Sequence, residues 1–401
     1  MKSETRYRID QIQNGIVPKG YKRTRSGIAP AEWTETSLGD IYTERKEPGN
    51  ENLPLLMVSI HSGVSDGEVD KDDLPKKVKR IEDKSQYKRA AKGDLVFNMM
   101  RAWQGAIGTV RTEGMVSPAY IVAEPNDKVD PLFMDYYMKT SRMVQTIHRQ
   151  SYGVTDFRLR LYWDSFSPIQ CALPSPAEQK RIAEILTTQD KVIELKEKRL
   201  VEKQRQKKYL MQQLLTGKKR LKGFSDPWST VELEEVFDYL QPTPYLVGST
   251  NYSNSYSTPV LTAGKTFVLG FTNETTGIYN DLPVVIFDDF TTDSKYVDFP
   301  FKAKSSAMKI LKIKSGYNIL FAYEAMQAIC FVVGGHERHW ISKYSKLTID
   351  VPSTKEQVAI ADVISTMNKE LSLLEQDLEH DNQKKKALMQ LLLTGIVRVN
   401  T

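Results

Sequence analysis

LPSPAEQKRIAEILTTQDKVIELKEKRLVEKQRQKKYLMQQLLTGKKRL (residues 173–221) and VPSTKEQVAIADVISTMNKELSLLEQDLEHDNQKKKALMQLLLTGIVRV (residues 351–399) are two copies of one segment. They align without a gap over about 49 residues with about 21 identities, and a repeat of this length dictates architecture before any other feature does. Each copy carries its own start and stop. Ser175 and Ser353 stand three residues before Glu178 and Glu356, the spacing of a capping box in which hydroxyl and carboxylate each satisfy an unpaired backbone N–H. Pro176 suits the first helical position, and Gly217 and Gly395 suit the left-handed residue that ends a helix. The roughly 38 residues between cap and stop predict a rod of about 57 Å.

Apolar residues recur at 4-3-4-3 spacing, as in a coiled-coil seam with polar interruptions. The second copy runs Ile360, Ile364, Met367, Leu371, Leu374, Leu378, then Asp381 and Lys385, then Leu388 and Leu392. The first runs Ile182, Leu186, Gln189, Ile193, Lys196, Leu200, Lys203, Lys207, Leu210, Leu214. The middle of the first helix is basic (Lys196, Lys198, Arg199, Lys203, Arg205) and the matching stretch of the second is acidic (Glu375, Asp377, Glu379, Asp381). The two helices should therefore pair with each other, antiparallel, within one chain.

The sequences preceding the helices are related more weakly. Trp33-x4-Leu38-x2-Ile41-Tyr42 matches Trp228-x4-Leu233-x2-Val236-Phe237. Each half then shows a strand–turn–strand: GDLVFN (93–98) and AIGTV (106–110) in the first, LPVVIFDD (282–289) and KYVDF (295–299) in the second. A helix follows (about 131–150, and about 318–327), then a last strand leading into the coiled coil. The expected fold class is α+β: two similar globular domains joined and separated by two long antiparallel helices, with a pseudo-twofold internal repeat. The expected boundaries are 1–172 for the first domain, 173–221 for its helix, 222–350 for the second domain and 351–401 for its helix.

Frameworks agree between the halves while loops diverge, and loops carry recognition. The first half offers Ser59–Gly67 with His61, NMMRAWQG (98–105) and YGVTDFRLR (152–160); the second offers TAGK (262–265), DDFTTDSK (288–295) and GGHERHW (334–340). Their Arg, Lys, Asn, Gln, Thr and His side chains suit phosphates and base edges. The candidate DNA contacts are His61, Asn98, Arg101, Trp103, Gln104, Arg158 and Arg160, then Lys265, Thr291, Thr292, Lys295, His336 and Arg338.

Bulk properties fit this picture. The chain has 401 residues, a net charge of +6, 40% hydrophobic and 26% charged residues, which suits two or more soluble domains and tolerates a polyanion partner. No apolar run approaches the roughly 18 residues that cross a bilayer, and Met1–Arg6 is not a signal peptide, so a cytoplasmic location is expected. Cys171 and Cys330 lie in no metal-ligand spacing. Catalytic motifs fail on inspection. AGKT (263–266) lacks the first glycine of a phosphate loop, which would fall at Pro259. SDPW (225–228) lacks the second proline of the amino-methyltransferase tetrad, and the nuclease-like Asp293-Ser294-Lys295 and Glu82-Asp83-Lys84 are spacings common by chance. The five histidines form no HExxH or nucleophile grouping.

The doubled segment resembles the specificity subunit of type I restriction–modification enzymes, on its PSxxEQxxI starts (Pro174, Ser175, Glu178, Gln179, Ile182; Pro352, Ser353, Glu356, Gln357, Ile360) and KKxLMQxLLTG ends (Lys207 to Gly217; Lys385 to Gly395). The resemblance implies a non-catalytic subunit whose two target-recognition domains read a gapped, asymmetric sequence in double-stranded DNA. It implies that the helices space the two domains and dock two methyltransferase subunits, with Glu178, Gln179, Ile182, Leu214, Glu356, Gln357, Ile360 and Leu392 as docking or spacer positions. No cofactor is expected in this chain: S-adenosylmethionine, ATP and Mg²⁺ belong to the methyltransferase and restriction subunits, and no membrane is involved. The competing readings are a methyltransferase or nuclease fusion acting alone, and a coiled-coil adaptor with no DNA role.

Overall fold

Two helices of equal length, 39 residues each, dominate the computed structural model, which describes residues 3–60, 63–65, 86–153, 155, 158–331 and 339–399. The chain divides into two units, Met1–Lys196 with Asp377–Thr401, and Glu197–Gln376. This division cuts both long helices near their middles, whereas the four sequence segments keep each helix whole.

The first unit begins with helix α1 (Ser3–Gln13) and the hairpin β1 (Tyr21–Thr24)–β2 (Gly27–Pro30). Next come β3 (Thr34–Ser37), β4 (Tyr42–Glu44), β5 (Met57–Ser59), β6 (Gly63–Ser65), β7 (Lys88–Ala90), β8 (Leu95–Asn98), β9 (Ile107–Thr109), β10 (Gly114–Val116) and β11 (Tyr120–Pro125). Helices α2 (Pro131–Met138), α3 (Ser141–Gln150) and α4 (Trp163–Phe166) and strand β12 (Gln170–Leu173) lead into α5 (Pro176–Leu214). The single helix expected over 131–150 is therefore broken. Lys139 ends one segment and Thr140 caps the next, its hydroxyl accepting from the Met143 N–H, and a side chain that satisfies a helix N-terminus starts a new axis.

The second unit repeats the plan with β13 (Ser229–Glu232), α6 (Leu233–Val236), β14 (Phe237–Leu240), β15 (Thr258–Leu261), β16 (Val268–Thr272), β17 (Val284–Asp288), β18 (Ser294–Val297), β19 (Lys302–Ala303) and β20 (Met308–Ile313). Then follow α7 (Ile319–Gln327), α8 (His339–Ser342), β21 (Thr348–Val351) and α9 (Thr354–Leu392).

The repeat is topological as well as sequential. The first unit's antiparallel sheet has the order β4-β11-β8-β9, and the second unit's has the order β14-β20-β17-β18. In both, the strand entering the long helix pairs antiparallel with the strand after the shared tryptophan (Trp33 or Trp228): β12 with β3, and β21 with β13. β8 and β17 are buried on both faces and read as continuous apolar runs, LVFN and VVIFD, as strands covered on both sides do. One core of the first unit packs Phe97, Phe133 and Phe166 with Ile182 and Leu186 of α5 and Leu392 of α9. The corresponding core of the second unit packs Phe237, Phe287 and Phe321 with Leu214 of α5 and Ile360 and Ile364 of α9.

Within each unit the α5 and α9 segments run antiparallel. In the first, Asp190 pairs with Lys385 at 2.6 Å, Gln189 donates to Asp381 at 3.0 Å, and Lys196 pairs with Asp381 and, at 2.6 Å, with Asp377. In the second, Lys203 pairs with Glu370 at 2.8 Å. The expected charge complementarity is present. Asp377 and Asp381 take Lys196, and Glu370, outside the acidic run singled out above, takes Lys203. The two junctions also differ chemically: the positions equivalent to Gln189 and Lys196 are Met367 and Leu374. No described helix is long and apolar enough to cross a membrane.

Candidate nucleic-acid interface

The long helices are fastened at their ends before any loop is positioned. Glu178 and Glu356 are almost fully buried, 2% and 0% exposed, and neither carboxylate closes a capping box. Each is gripped instead by an arginine that follows the other helix: Arg398 donates to Glu178 at 2.6 and 2.7 Å, and Arg220 to Glu356 at 2.7 and 2.6 Å. Two parallel N–H···O bonds fix angle as well as distance. Glu178 and Glu356 occupy matching repeat positions, as do Arg220 and Arg398. The neighbouring glutamines work alike. Gln179 accepts from the Asp130 N–H at 2.9 Å and donates to the Pro174 carbonyl, and Gln357 accepts from the Asn318 N–H at 2.8 Å and donates to the Pro352 carbonyl.

Gly217 and Gly395 end the helices at φ +66° and +70°, and the N–H groups of Lys219 and Val397 return to the carbonyls of Gln213 and Leu391, closing each last turn. A side chain at Gly395 would meet Pro30 and Trp33, and one at Gly217 would meet Trp228.

This placement favours the spacer half of the expectation that these are docking or spacer positions. Glu178, Gln179, Ile182, Leu214, Glu356, Gln357, Ile360 and Leu392 are all buried against their own units, so they present no surface to another subunit. Their work is to seat the helices. Arg220 and Arg398 were missed in sequence, although the repeat alignment contains them as an identity inside otherwise unlike tails (KKRL and IVRV).

On this scaffold the β8–β9 corner of the first unit gathers residues from two loops. Asn98 accepts from the Met100 N–H at 2.9 Å, and the Trp103 indole N–H donates to the Met100 carbonyl at 3.0 Å. Trp103 lies 5.5 Å from the His148 ring, and Gly105 closes the Ala102–Gln104 turn at φ 99°. The second loop is held by Tyr152 and Arg160, which exchange backbone bonds of 3.0 and 2.9 Å, and by the Leu161 N–H donating to Met99 at 2.8 Å. The result is a cleft of about 520 Å³ lined by six predicted residues, Asn98, Arg101, Trp103, Gln104, Arg158 and Arg160. Among the described residues no carboxylate pairs with its three guanidiniums; Arg160 reaches only the Tyr162 hydroxyl, at 3.5 Å.

The equivalent corner of the second unit, between β17 and β18, is chemically opposite. Asp288 accepts from the N–H groups of Phe290 and Thr291, both at 2.9 Å, and Thr292 takes a left-handed φ of 61°. The Thr291 and Thr292 hydroxyls are occupied within the turn. Asp289 is fully buried: its carboxylate accepts from the Trp340 N–H at 3.0 Å and the Tyr239 hydroxyl at 3.4 Å, and its carbonyl from the His339 N–H at 2.9 Å. It thereby ties this turn to α8. His339 is also fully buried, its ring 5.7 Å from Phe331 and, among the described residues, neither ring nitrogen hydrogen-bonded. Lys295 is half-buried on β18, and Lys265 is exposed on the turn between β15 and β16, in a different sheet. His61, His336 and Arg338 lie outside the described residues. Sequence reasoning missed Asp289, because the partners of its carboxylate, the Trp340 N–H and the Tyr239 hydroxyl, lie 50 or more residues away in the chain.

Comparisons with known proteins bear on the chain as a whole. Residues 225–380 match the family model described as the type I restriction modification DNA specificity domain. A stretch of 178 residues is 42% identical to the type I restriction enzyme EcoR124I/EcoR124II specificity subunit of Escherichia coli, covering 42% of this chain and 44% of that protein. The putative type I restriction enzyme MjaX specificity subunit of Methanocaldococcus jannaschii is 24% identical over 96% of this chain and 98% of its own length. Among solved structures, the type I restriction–modification S subunit from M. genitalium superposes with a TM-score of 0.60 at 12% identity, over 92% of this chain and 96% of that one. That likeness is one of fold.

Proposed function

We propose that the chain is the non-catalytic, DNA-reading subunit of a type I restriction–modification enzyme, a reading supported by its similarity to the specificity domain over residues 225–380 and to specificity subunits. The observation that carries this reading is a framework built twice with unlike corners. The two sheets share one strand order, while the cleft beside β8 presents guanidinium and amide groups and the corner beside β17 presents carboxylates. Two equal readers would suit a palindrome; two unlike readers suit an asymmetric, two-part target. Each unit reads one part of a gapped sequence in double-stranded DNA, with side chains on base edges for specificity and on phosphates for position.

The chain brings methyltransferase subunits to that target. Two copies are expected, as the resemblance to specificity subunits implies. Restriction subunits join the same assembly. S-adenosylmethionine resides in the methyltransferase subunits, and ATP and Mg²⁺ in the restriction subunits. Binding through arginine and lysine weakens steeply with salt.

The test is to map methylated adenines in DNA from cells expressing this chain with a methyltransferase subunit of its own host. A gapped, asymmetric motif that disappears when the chain is deleted is the expected result. A motif that survives the deletion, or methylation by the purified chain alone with labelled S-adenosylmethionine, would overturn the proposal.

A further inference from the structure

We propose that the cleft at the β8–β9 corner is the purine-reading site of the first unit, with Arg101 and Gln104 on base edges and Arg158 and Arg160 on flanking phosphates. This rests on the DNA-reading role proposed above and assigns its chemistry within one unit.

Three guanidiniums share one cleft of about 520 Å³ without a carboxylate partner among the described residues. Like charges repel at this range, so the arrangement is most stable when an anion or a strong acceptor fills the cleft. The amides narrow the choice. Asn98 already accepts from the Met100 N–H, so its oxygen is engaged. Gln104 is exposed and its amide makes no hydrogen bond among the described residues, which leaves a donor and an acceptor together. That pair matches adenine N7 and N6–H₂, as an arginine fork matches guanine N7 and O6. Both candidate readers thus select purines.

The division of labour follows from how the side chains are mounted. Arg101 and Gln104 flank one short turn that is locked by the Trp103–Met100 bond and by left-handed Gly105, so both start from a fixed backbone. A preorganised backbone loses little freedom on binding and can hold the geometry that base reading needs. Arg158 and Arg160 lie on the adjoining segment, and Arg160 already spends one N–H on Tyr162, which suits a charge contact better than a two-pronged fork. The contrast with the second unit supports the assignment. There the same corner holds half-buried Asp288 and exposed Asp293, which would repel phosphate, so this mode of reading is assigned to the first unit.

The experiment uses the full chain assembled with a methyltransferase subunit of its host, and a panel of duplexes in which each base pair of the methylated target is substituted in turn. Arg101→Ala and Gln104→Ala should each relax discrimination at one purine position by about tenfold or more, leaving other positions unchanged. Arg101→Lys, which keeps the charge and loses the fork, should relax that position while retaining affinity for unrelated DNA. Arg158→Ala and Arg160→Ala should weaken all duplexes alike and lower the slope of log affinity against log salt by about one each. The proposal fails if Arg101→Ala and Gln104→Ala, folded as judged by an unchanged melting curve, keep full discrimination or lose affinity uniformly. A parent assembly that binds every duplex equally would instead sink the DNA-reading role, and this proposal with it.

Discussion

Arg398 closes on Glu178 through two parallel hydrogen bonds, although 220 residues separate them, and Arg220 repeats the contact on Glu356. Each carboxylate is nearly inaccessible to water while each arginine side chain stays about a quarter to a third exposed. Removing the arginine strands a buried charge, which costs more than the pair itself contributes. Arg398→Ala should destabilise the first unit by about 3 kcal/mol, the low end for a broken buried pair because Arg398 is partly solvated. Lys191→Ala, which removes only an exposed pair with Glu194, should cost under about 0.5 kcal/mol. Denaturant unfolding of the two variants checks the contrast, and equal losses would refute it.

The two helix-ending glycines should respond unequally to alanine. Both sit at positive φ, which costs an L-residue about 1–2 kcal/mol. At Gly217 the added methyl would touch Trp228 at 3.5 Å, an ordinary contact. At Gly395 it would fall 2.4 Å from Pro30, and a ring cannot yield as a flexible chain can. Gly395→Ala should therefore lower the melting temperature more than Gly217→Ala.

Acid should loosen the junction that joins α5 and α9 in the first unit. Lys196 beside Asp381 holds that carboxyl below its ordinary range, and the bond from Gln189 adds to the effect. A carboxylate with a lowered folded pKa contributes stability that is present above its unfolded value, about 3.9, and is lost as pH falls through the folded value. Asp381→Asn should remove this part of the acid sensitivity. Thermal melts of both proteins at pH 6 and at steps below pH 4 would reveal it; parallel pH profiles would refute it.

Asp289 should govern the local stability of α8, which it holds at His339 and Trp340. Its carboxylate accepts the Trp340 N–H, and a bond to a charged acceptor contributes about 1.5–3 kcal/mol. In Asp289→Ala the Trp340 amide should exchange with solvent faster by one to two powers of ten, from about 1.4 kcal/mol per tenfold, while amides of β8 in the first unit keep their rates. Uniformly faster exchange across both units would argue against so local a role.

What the sequence made legible was local. Pro176, Gly217 and Gly395 marked the long helices, and the 4-3 spacing marked their buried face, because caps and periodicity act over a few residues. Glu178 was misread for the same reason. Its spacing from Ser175 satisfies a local rule, and nothing nearby reveals an arginine that arrives from the far repeat. Thr140 was legible in principle as a cap but lay hidden in an apparently continuous helix. The first-unit cleft was half legible: Arg101 and Gln104, and Arg158 and Arg160, stood out as two loops, but their meeting depends on the Leu161–Met99 backbone bond. The second corner was read for Thr291, Thr292 and Lys295, and neither the weight of its carboxylates nor the inward turn of Asp289 was drawn from DDFTTD.

The first unit is assembled from two stretches of chain that the whole of Glu197–Gln376 separates. During synthesis its core stays open where Leu388, Leu392 and Leu393 will sit, because those residues do not yet exist. The second unit is continuous and can close first. At about 5–20 residues per second, the intervening stretch imposes a delay of roughly 10–40 s. For that interval Ile182 and Leu186 have no partner from α9, so a chaperone that shields apolar helix faces would act there, on the nascent chain, rather than on the finished protein.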